Sequence, residues 1–294
     1  MIKLGILSKQ KRLQKGETLV GLLIATAIGS IILVATASSF SSSMRALWDR
    51  ITISEANNQA REIARIIASD LRMIGSGMPL GTAKFDMLDV TLGNAPMPIL
   101  IESNLSRILF RLNETGKFTS STRAFDPFSE SNISVLSTND FSSGKTVYIS
   151  NITSEFSQSS TQGGLRAKIS SIGTSTISLK DIVAGSGVNM NPGSIVEPVS
   201  DITIDCNGTG GITRDDGNGA LVLFPKSTCS FEYLDASGTN LSMPLNSSTI
   251  QSILSSIRFT VNVPGRRVLR NGSTYTAQTD ETVTLRNLIL ARNS

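Results

Sequence analysis

From Thr18 through Met44 the chain carries no charged residue, and aliphatic side chains dominate from Thr18 to Ala37. As a helix those roughly 20 residues would span about 30 Å, the thickness of a hydrocarbon core. The pattern then changes character without a break. Leu47, Ile51, Ala56, Ala60, Ile63, Ile67, Leu71 and Ile74 recur at spacings of three to five. Glu55, Arg61, Glu62, Arg65, Asp70 and Arg72 fall largely between them. This spacing predicts one apolar face on an amphipathic helix. Gly75 and Gly77 are stop signals, and no proline occurs before Pro79. A continuous helix from Thr18 to Ile74 would be roughly 85 Å long.

After Pro79 the texture shifts to short apolar runs separated by Gly, Asn, Asp and Ser. Thr146–Ile152, Arg166–Ile172 and Thr176–Ile182 read as strands, the last two joined by a turn at Gly173-Thr174. Ala220–Phe224 and Cys229–Leu234 read as a hairpin around Pro225-Lys226-Ser227. Ile257, Phe259, Val261 and Val263 alternate strictly, giving a half-buried strand expected to stop at Pro264-Gly265. The Ser- and Thr-rich stretch Thr115–Gln162 reads as loop or an inserted elaboration, and Thr282–Leu290 as a final strand.

Ahead of the apolar run, residues 1–16 hold Lys3, Lys9, Lys11, Arg12 and Lys15 and no acidic residue. By the positive-inside bias this end stays cytoplasmic, and everything after about residue 40 lies outside. Arg45, Trp48 and Arg50 follow where interfacial anchors belong. The formal charge of +4 comes from that leader. Without its five cations, 22 basic residues face 23 acidic ones, so nucleic acid is not an expected partner. An ordinary signal peptide cut after Ala35-Thr36-Ala37 is the alternative, although the apolar stretch exceeds the usual 7–15 residues. Cys206 and Cys229 are the only cysteines. In an exported domain a disulfide between them is expected, the alternative being two separate thiols.

A basic leader, a glycine and then a long retained apolar helix resemble the start of type IV prepilins and type II secretion pseudopilins. The residues that carry the likeness are Lys15-Gly16, Thr18-Leu19-Val20 and Leu22–Ala37. In that family a dedicated peptidase cuts after the glycine at the cytoplasmic face and methylates the new amino terminus. The resemblance therefore implies cleavage between Gly16 and Glu17 and N-methylation of Glu17. Two positions depart from the pattern. The family usually begins the mature chain with an aromatic residue and has glutamate fifth; here Glu17 is first and Gly21 fifth. Asp70-Leu71-Arg72-Met73-Ile74-Gly75 resembles the end of the long helix in large minor pilins of the PilW type. Thr284-Leu285-Arg286-Asn287 resembles the final strand of minor pilins and pseudopilins.

What the resemblance implies is an α+β, type IV pilin-like fold. A leader at 1–16 precedes a long helix at 17–75, transmembrane over about 18–38 and amphipathic over about 39–75. That helix packs on an antiparallel β-rich domain at 76–294. The implied partners are other pilins or pseudopilins through the helix, the prepilin peptidase, the inner membrane and the filament assembly machinery. The implied location is the bacterial inner membrane, crossed once with the β-rich domain outside, and then a pilus or pseudopilus.

Candidate chemistry is sparse. The chain has no histidine, which removes His-based triads, most zinc sites and the commonest general base. No phosphate-binding glycine motif is present, and no cofactor or catalytic residue is expected. Asp215-Asp216-Gly217-Asn218-Gly219 has some likeness to a calcium loop, with Asp215, Asp216 and Asn218 as ligands. It lacks the downstream bidentate glutamate, and a tight turn is the plainer reading. Three function classes remain: a minor pilin or minor pseudopilin in filament initiation, tip or priming; a membrane-anchored or secreted adhesin using the apolar segment only for export; and an extracytoplasmic enzyme.

Overall fold

The computed structural model describes residues 7–79, 91–92, 95–100, 102–151, 164–184, 187–208 and 210–293, with side chains apart from those of 7–18, 91–92, 95–96, 247, 251 and 291–293. The chain forms two compact units, Met1–Glu55 with Gly265–Tyr275, and Ala56–Pro264 with Thr276–Ser294.

One helix, α1, runs Leu7–Arg72 over 66 residues. Aliphatic and alanine positions with no internal proline let it continue through both the uncharged and the amphipathic pattern. It ends by tightening: the N–H groups of Met73 and Ile74 donate to the carbonyls of Asp70 and Leu71 (3.1 and 3.3 Å). Gly75 then turns left-handed at φ 77°, as helix-terminating glycines do, and donates its N–H to the Arg111 carbonyl (2.8 Å). Gly77 (φ 74°) has a second constraint, since a Cβ there would sit 2.6 Å from the Asn113 Cβ. Ala56, Ala60, Ile63, Ile67, Leu71 and Ile74 are buried as the spacing predicts, and Ala64 and Ala68 join them. Leu47 does not belong to this face: it is 49% exposed.

Fourteen strands are described. The first six are β1 Thr91–Leu92, β2 Ala95–Pro96, β3 Arg107–Leu112, β4 Thr119–Ser120, β5 Asn132–Ser134 and β6 Thr146–Ser150. The next five are β7 Gly164–Ile172, β8 Thr176–Ala184, β9 Ile195–Asp205, β10 Gly211–Asp215 and β11 Leu221–Pro225. Then come β12 Thr228–Leu234, the short helix α2 Ser247–Ser252, β13 Ser256–Val268, β14 Thr274–Thr284 and α3 Arg286–Asn293. A nine-stranded sheet runs β11-β10-β9-β6-β7-β8-β5, with β3 and β4 also on β9. All its described pairings are antiparallel. β9 organises it by giving its first half to β4 and β6 and its second half to β3 and β10. Ile133, Val147, Ile149, Leu165, Ile169, Ile177 and Val196 form its main core, closed by Phe125 and Met190. A three-stranded sheet, β12-β13-β14, stands apart from it. The fold is thus α+β: a long apolar N-terminal helix and an antiparallel, sheet-rich C-terminal domain.

The structure corrects four expectations. Ala220–Phe224 and Cys229–Leu234 are not a hairpin, because β11 pairs with β10 and β12 with β13. The register shows why. Cys229, Phe231 and Tyr233 stand opposite Val261, Phe259 and Ile257, an apolar match that the exposed or half-buried β11 cannot offer. β13 does not stop at Pro264-Gly265 but continues to Val268. Its register with β12 ends at Asn262, so one side is open there and proline is tolerated. The final strand ends at Thr284, and Arg286–Asn293 is helical. Thr115–Gln162 is not mere loop: it supplies β4, β5 and β6, while its residues 152–162 lie outside the described residues.

Candidate functional site

The apolar half of α1 offers a contiguous greasy surface. Its Leu, Ile and Val side chains from Leu19 to Val34 are each 53–68% exposed. A single exposed leucine is ordinary in a folded protein, but an all-round apolar surface of this length needs lipid or other helices to cover it. By length and composition the helix can cross a membrane. Three of its hydroxyls are satisfied internally: Thr26, Ser30 and Thr36 donate to the carbonyls of Leu23, Ala27 and Leu33 (2.9, 2.8 and 2.9 Å). That arrangement suits a medium without water to bond them. Gly16 and Glu17 fall within the range of α1, but their side chains lie outside the described residues. Gly21 and Gly29 have open space where a Cβ would stand.

Just beyond the apolar run, α1 is met by the end of β13 and its connection to β14, Gly265–Tyr275, in the same compact unit. Gly265 permits the approach, since a Cβ there would lie 2.9 Å from the Thr52 methyl. The Arg267 guanidinium stacks over Trp48 at 4.6 Å from the ring centroid. The Arg270 N–H donates to the Asp49 carboxylate (3.2 and 3.4 Å). Its side chain donates to the Ser42 hydroxyl at 3.4 Å. Trp48, expected as an interfacial anchor, is thus half-covered by an arginine that nothing in the helical pattern announces. The run Arg266-Arg267 followed by Arg270 was the available signal.

At the other end of α1, charges fasten the buried face. Arg214 donates from Nε to Asp70 (2.7 Å) and from Nη2 to Glu114 (2.7 Å). Arg72 pairs with Glu281 (2.7 Å), and the Asn287 amide donates to the Ile74 carbonyl (2.9 Å). Burial lifts the Asp70 carboxyl above the usual range, although Arg214 draws it down. The Asp70–Gly75 motif therefore has a visible task here, which is to close the helix against the sheet-rich domain.

Cys206, next after β9, forms a disulfide with Cys229 on β12, with a Cα–Cα distance of 4.6 Å. It ties the nine-stranded sheet to the three-stranded one across a separation of 23 residues. Replacing both cysteines by alanine is expected to cost about 3 kcal/mol. In the intact protein, thiol labelling after unfolding should find no reactive cysteine, and labelling of both without reductant would refute the bridge.

Asp215, Asp216 and Asn218 close the β10–β11 turn. The Asp215 carboxylate accepts from the N–H groups of Gly217 and Gly219 (2.8 and 3.2 Å). Asp216 accepts from the Asn218 N–H (3.1 Å), which holds its carboxyl below the usual range. Among the described residues no group of His, Cys, Asp and Glu is placed to hold a metal. An open cleft of about 950 Å³ is lined by Asp235, Ser237, Ile253, Arg258, Thr284 and Ile289 among others. Its one arginine, Arg258, pairs with Glu232 at 3.2 Å.

No family model, curated protein or solved structure matches this chain.

Proposed function

We propose that the chain is a minor subunit of a type IV pilus or a related filament, acting in initiation, tip or priming of assembly. One observation carries this reading: a single unbroken helix whose first part has its whole surface exposed and apolar, and whose second part buries one face. A subunit of this shape can wait in the bilayer by its first part and later bury the same surface against the equivalent helices of neighbours. The basic leader and the glycine before Glu17 supply the processing step that frees the amino terminus for that exchange. An export signal alone would leave Ser38 as the first residue. The intact mass of the membrane-extracted protein decides: an N-methylated chain starting at Glu17 supports the proposal, and a chain starting at Ser38 defeats it.

The position within the filament follows from Gly21. In the family this subunit resembles, the fifth-residue carboxylate is thought to neutralise the amino terminus of a neighbour inside the apolar core. There an unpaired charge costs several kcal/mol. Gly21 has no side chain to do this, and Glu17 sits beside its own amino terminus. A subunit that cannot accept a neighbour's amino terminus is poorly suited to repeat along a fibre, yet it can occupy an end. Sheared filaments should therefore contain it at low copy relative to the major subunit, with immunogold label confined to one end. Even labelling along the shaft would defeat the tip assignment.

A further inference from the structure

We infer that the segment Gly265–Tyr275, the end of β13 and its connection to β14, forms with the turn of α1 beneath it a cationic collar that binds anionic phospholipid headgroups where α1 leaves the bilayer. The inference rests on the reading of α1 as membrane-spanning, and goes beyond it by assigning a ligand to the extramembrane surface.

Contacts inside this one unit place the collar. Arg270 reaches Ser42, two residues past Phe40, the last large apolar side chain of the exposed run. At 1.5 Å per residue that is about 3 Å along the helix axis. The tip therefore stands level with the end of the apolar segment rather than farther out in solvent.

Charge and exposure define the ligand. Arg45 and Arg50 on α1, Arg266 and Arg267 at the end of β13 and Arg270 on the connection to β14 are all exposed. The carboxylates of this stretch are Asp49 and Glu55, and Asp49 is engaged by the backbone N–H of Arg270. Five cations against two anions is a local excess in a chain that is otherwise near balance once the leader is set aside. Guanidinium groups suit phosphate, because their planar donors can bond two oxygens at once. The stacked Trp48–Arg267 pair leaves the indole 44% exposed, and Val268 at the tip is 62% exposed. An indole and an aliphatic side chain among arginines match the headgroup layer, which is apolar on one side and charged on the other. An acidic protein partner would use the arginines but would have no reason to need them level with the last apolar turn.

Trp48 is the only tryptophan, so it reports on this site alone. The full chain is reconstituted in phosphatidylcholine vesicles containing equal small fractions of either phosphatidylglycerol or phosphatidylcholine brominated near the headgroup end of the acyl chains. Brominated phosphatidylglycerol should quench Trp48 with an apparent preference on the order of fivefold, the Boltzmann factor for about one cationic side chain near an anionic surface. The preference should collapse toward unity at about 1 M salt, where the screening length is roughly 3 Å. It should also collapse in Arg266→Gln/Arg267→Gln/Arg270→Gln and survive in the corresponding triple lysine variant. Equal quenching by both lipids in the unmodified chain would overturn the collar and leave the membrane-spanning reading standing. Absence of quenching by either lipid would overturn both. A preference that persists in the glutamine variant would remove the segment Gly265–Tyr275 from the site.

Discussion

Gly16→Leu is expected to leave an unprocessed precursor in the membrane, 16 residues longer than the chain that begins at Glu17. Two physical effects act together. A peptidase cleft closed around a residue without a side chain has no room for an isobutyl group. In addition, α1 already extends through residue 16 from Leu7, and a helical bond must unwind before it can be cut. Glycine weakens a helix by about 1 kcal/mol relative to alanine and so favours that opening, whereas leucine is a strong helix former. Gly16→Ala separates the two effects: partial processing points to helix opening, and a complete block points to the fit. Intact mass or mobility of the membrane fraction reads the outcome. Normal processing of the leucine variant would sink the prepilin reading, and the filament proposal with it.

The long helix was legible because its signal is local. An uncharged run followed by a three-to-four spacing, with no proline, dictates helix residue by residue, and Gly75 marks its end. The spacing cannot show where the opposing surface begins, which is why Leu47 fits the pattern yet is exposed while Ala56 is not. Strands were legible for the same reason, and so was the pairing of β7 with β8 across the turn at Gly173-Thr174, but the other partners were not. Alternation in Cys229–Leu234 and in Ile257–Val263 marks two half-buried strands. Only the chain's path reveals that Cys229–Leu234 pairs with the strand that follows it rather than with Ala220–Phe224 just before it. Thr282–Leu290 read as a strand throughout because a short apolar run serves a strand or a helix equally well, and its second part is helical. The disulfide was accessible because only two cysteines exist to be joined. Asp70 and Arg214, 144 residues apart, leave no mark of their pairing in the sequence. The same holds for the stacking of Arg267 on Trp48.

Arg214→Met is expected to destabilise the protein by about 2–3 kcal/mol near neutral pH, and by clearly less in acid. Arg214 is 17% exposed and holds two carboxylates at 2.7 Å, Asp70 at 18% exposed and Glu114 at 37%. Removing one partner of a buried pair costs about 3–5 kcal/mol, because the other charge is left unpaired. The lower figure applies here since water screens Glu114. Methionine keeps most of the apolar stem, so lost packing contributes little. The pH dependence follows from Asp70, whose carboxyl is lifted by burial, drawn down by Arg214 and lifted again by Glu114. A raised carboxyl means that the folded state binds its proton more tightly than the unfolded chain does. Its contribution is then fully present below the ordinary carboxylate pKa and lost as pH rises through the raised value. Without the guanidinium the downward pull disappears and the carboxyl rises further, so the variant loses more than the parent over that window. Melting both proteins in detergent by circular dichroism between about pH 4 and pH 8 should show curves that converge in acid and separate as Asp70 ionises. A gap of constant size across that range would assign the effect to packing rather than charge. No gap at all would mean that Asp70 and Glu114 are solvated well enough to stand alone, and that the end of α1 is held by its apolar face.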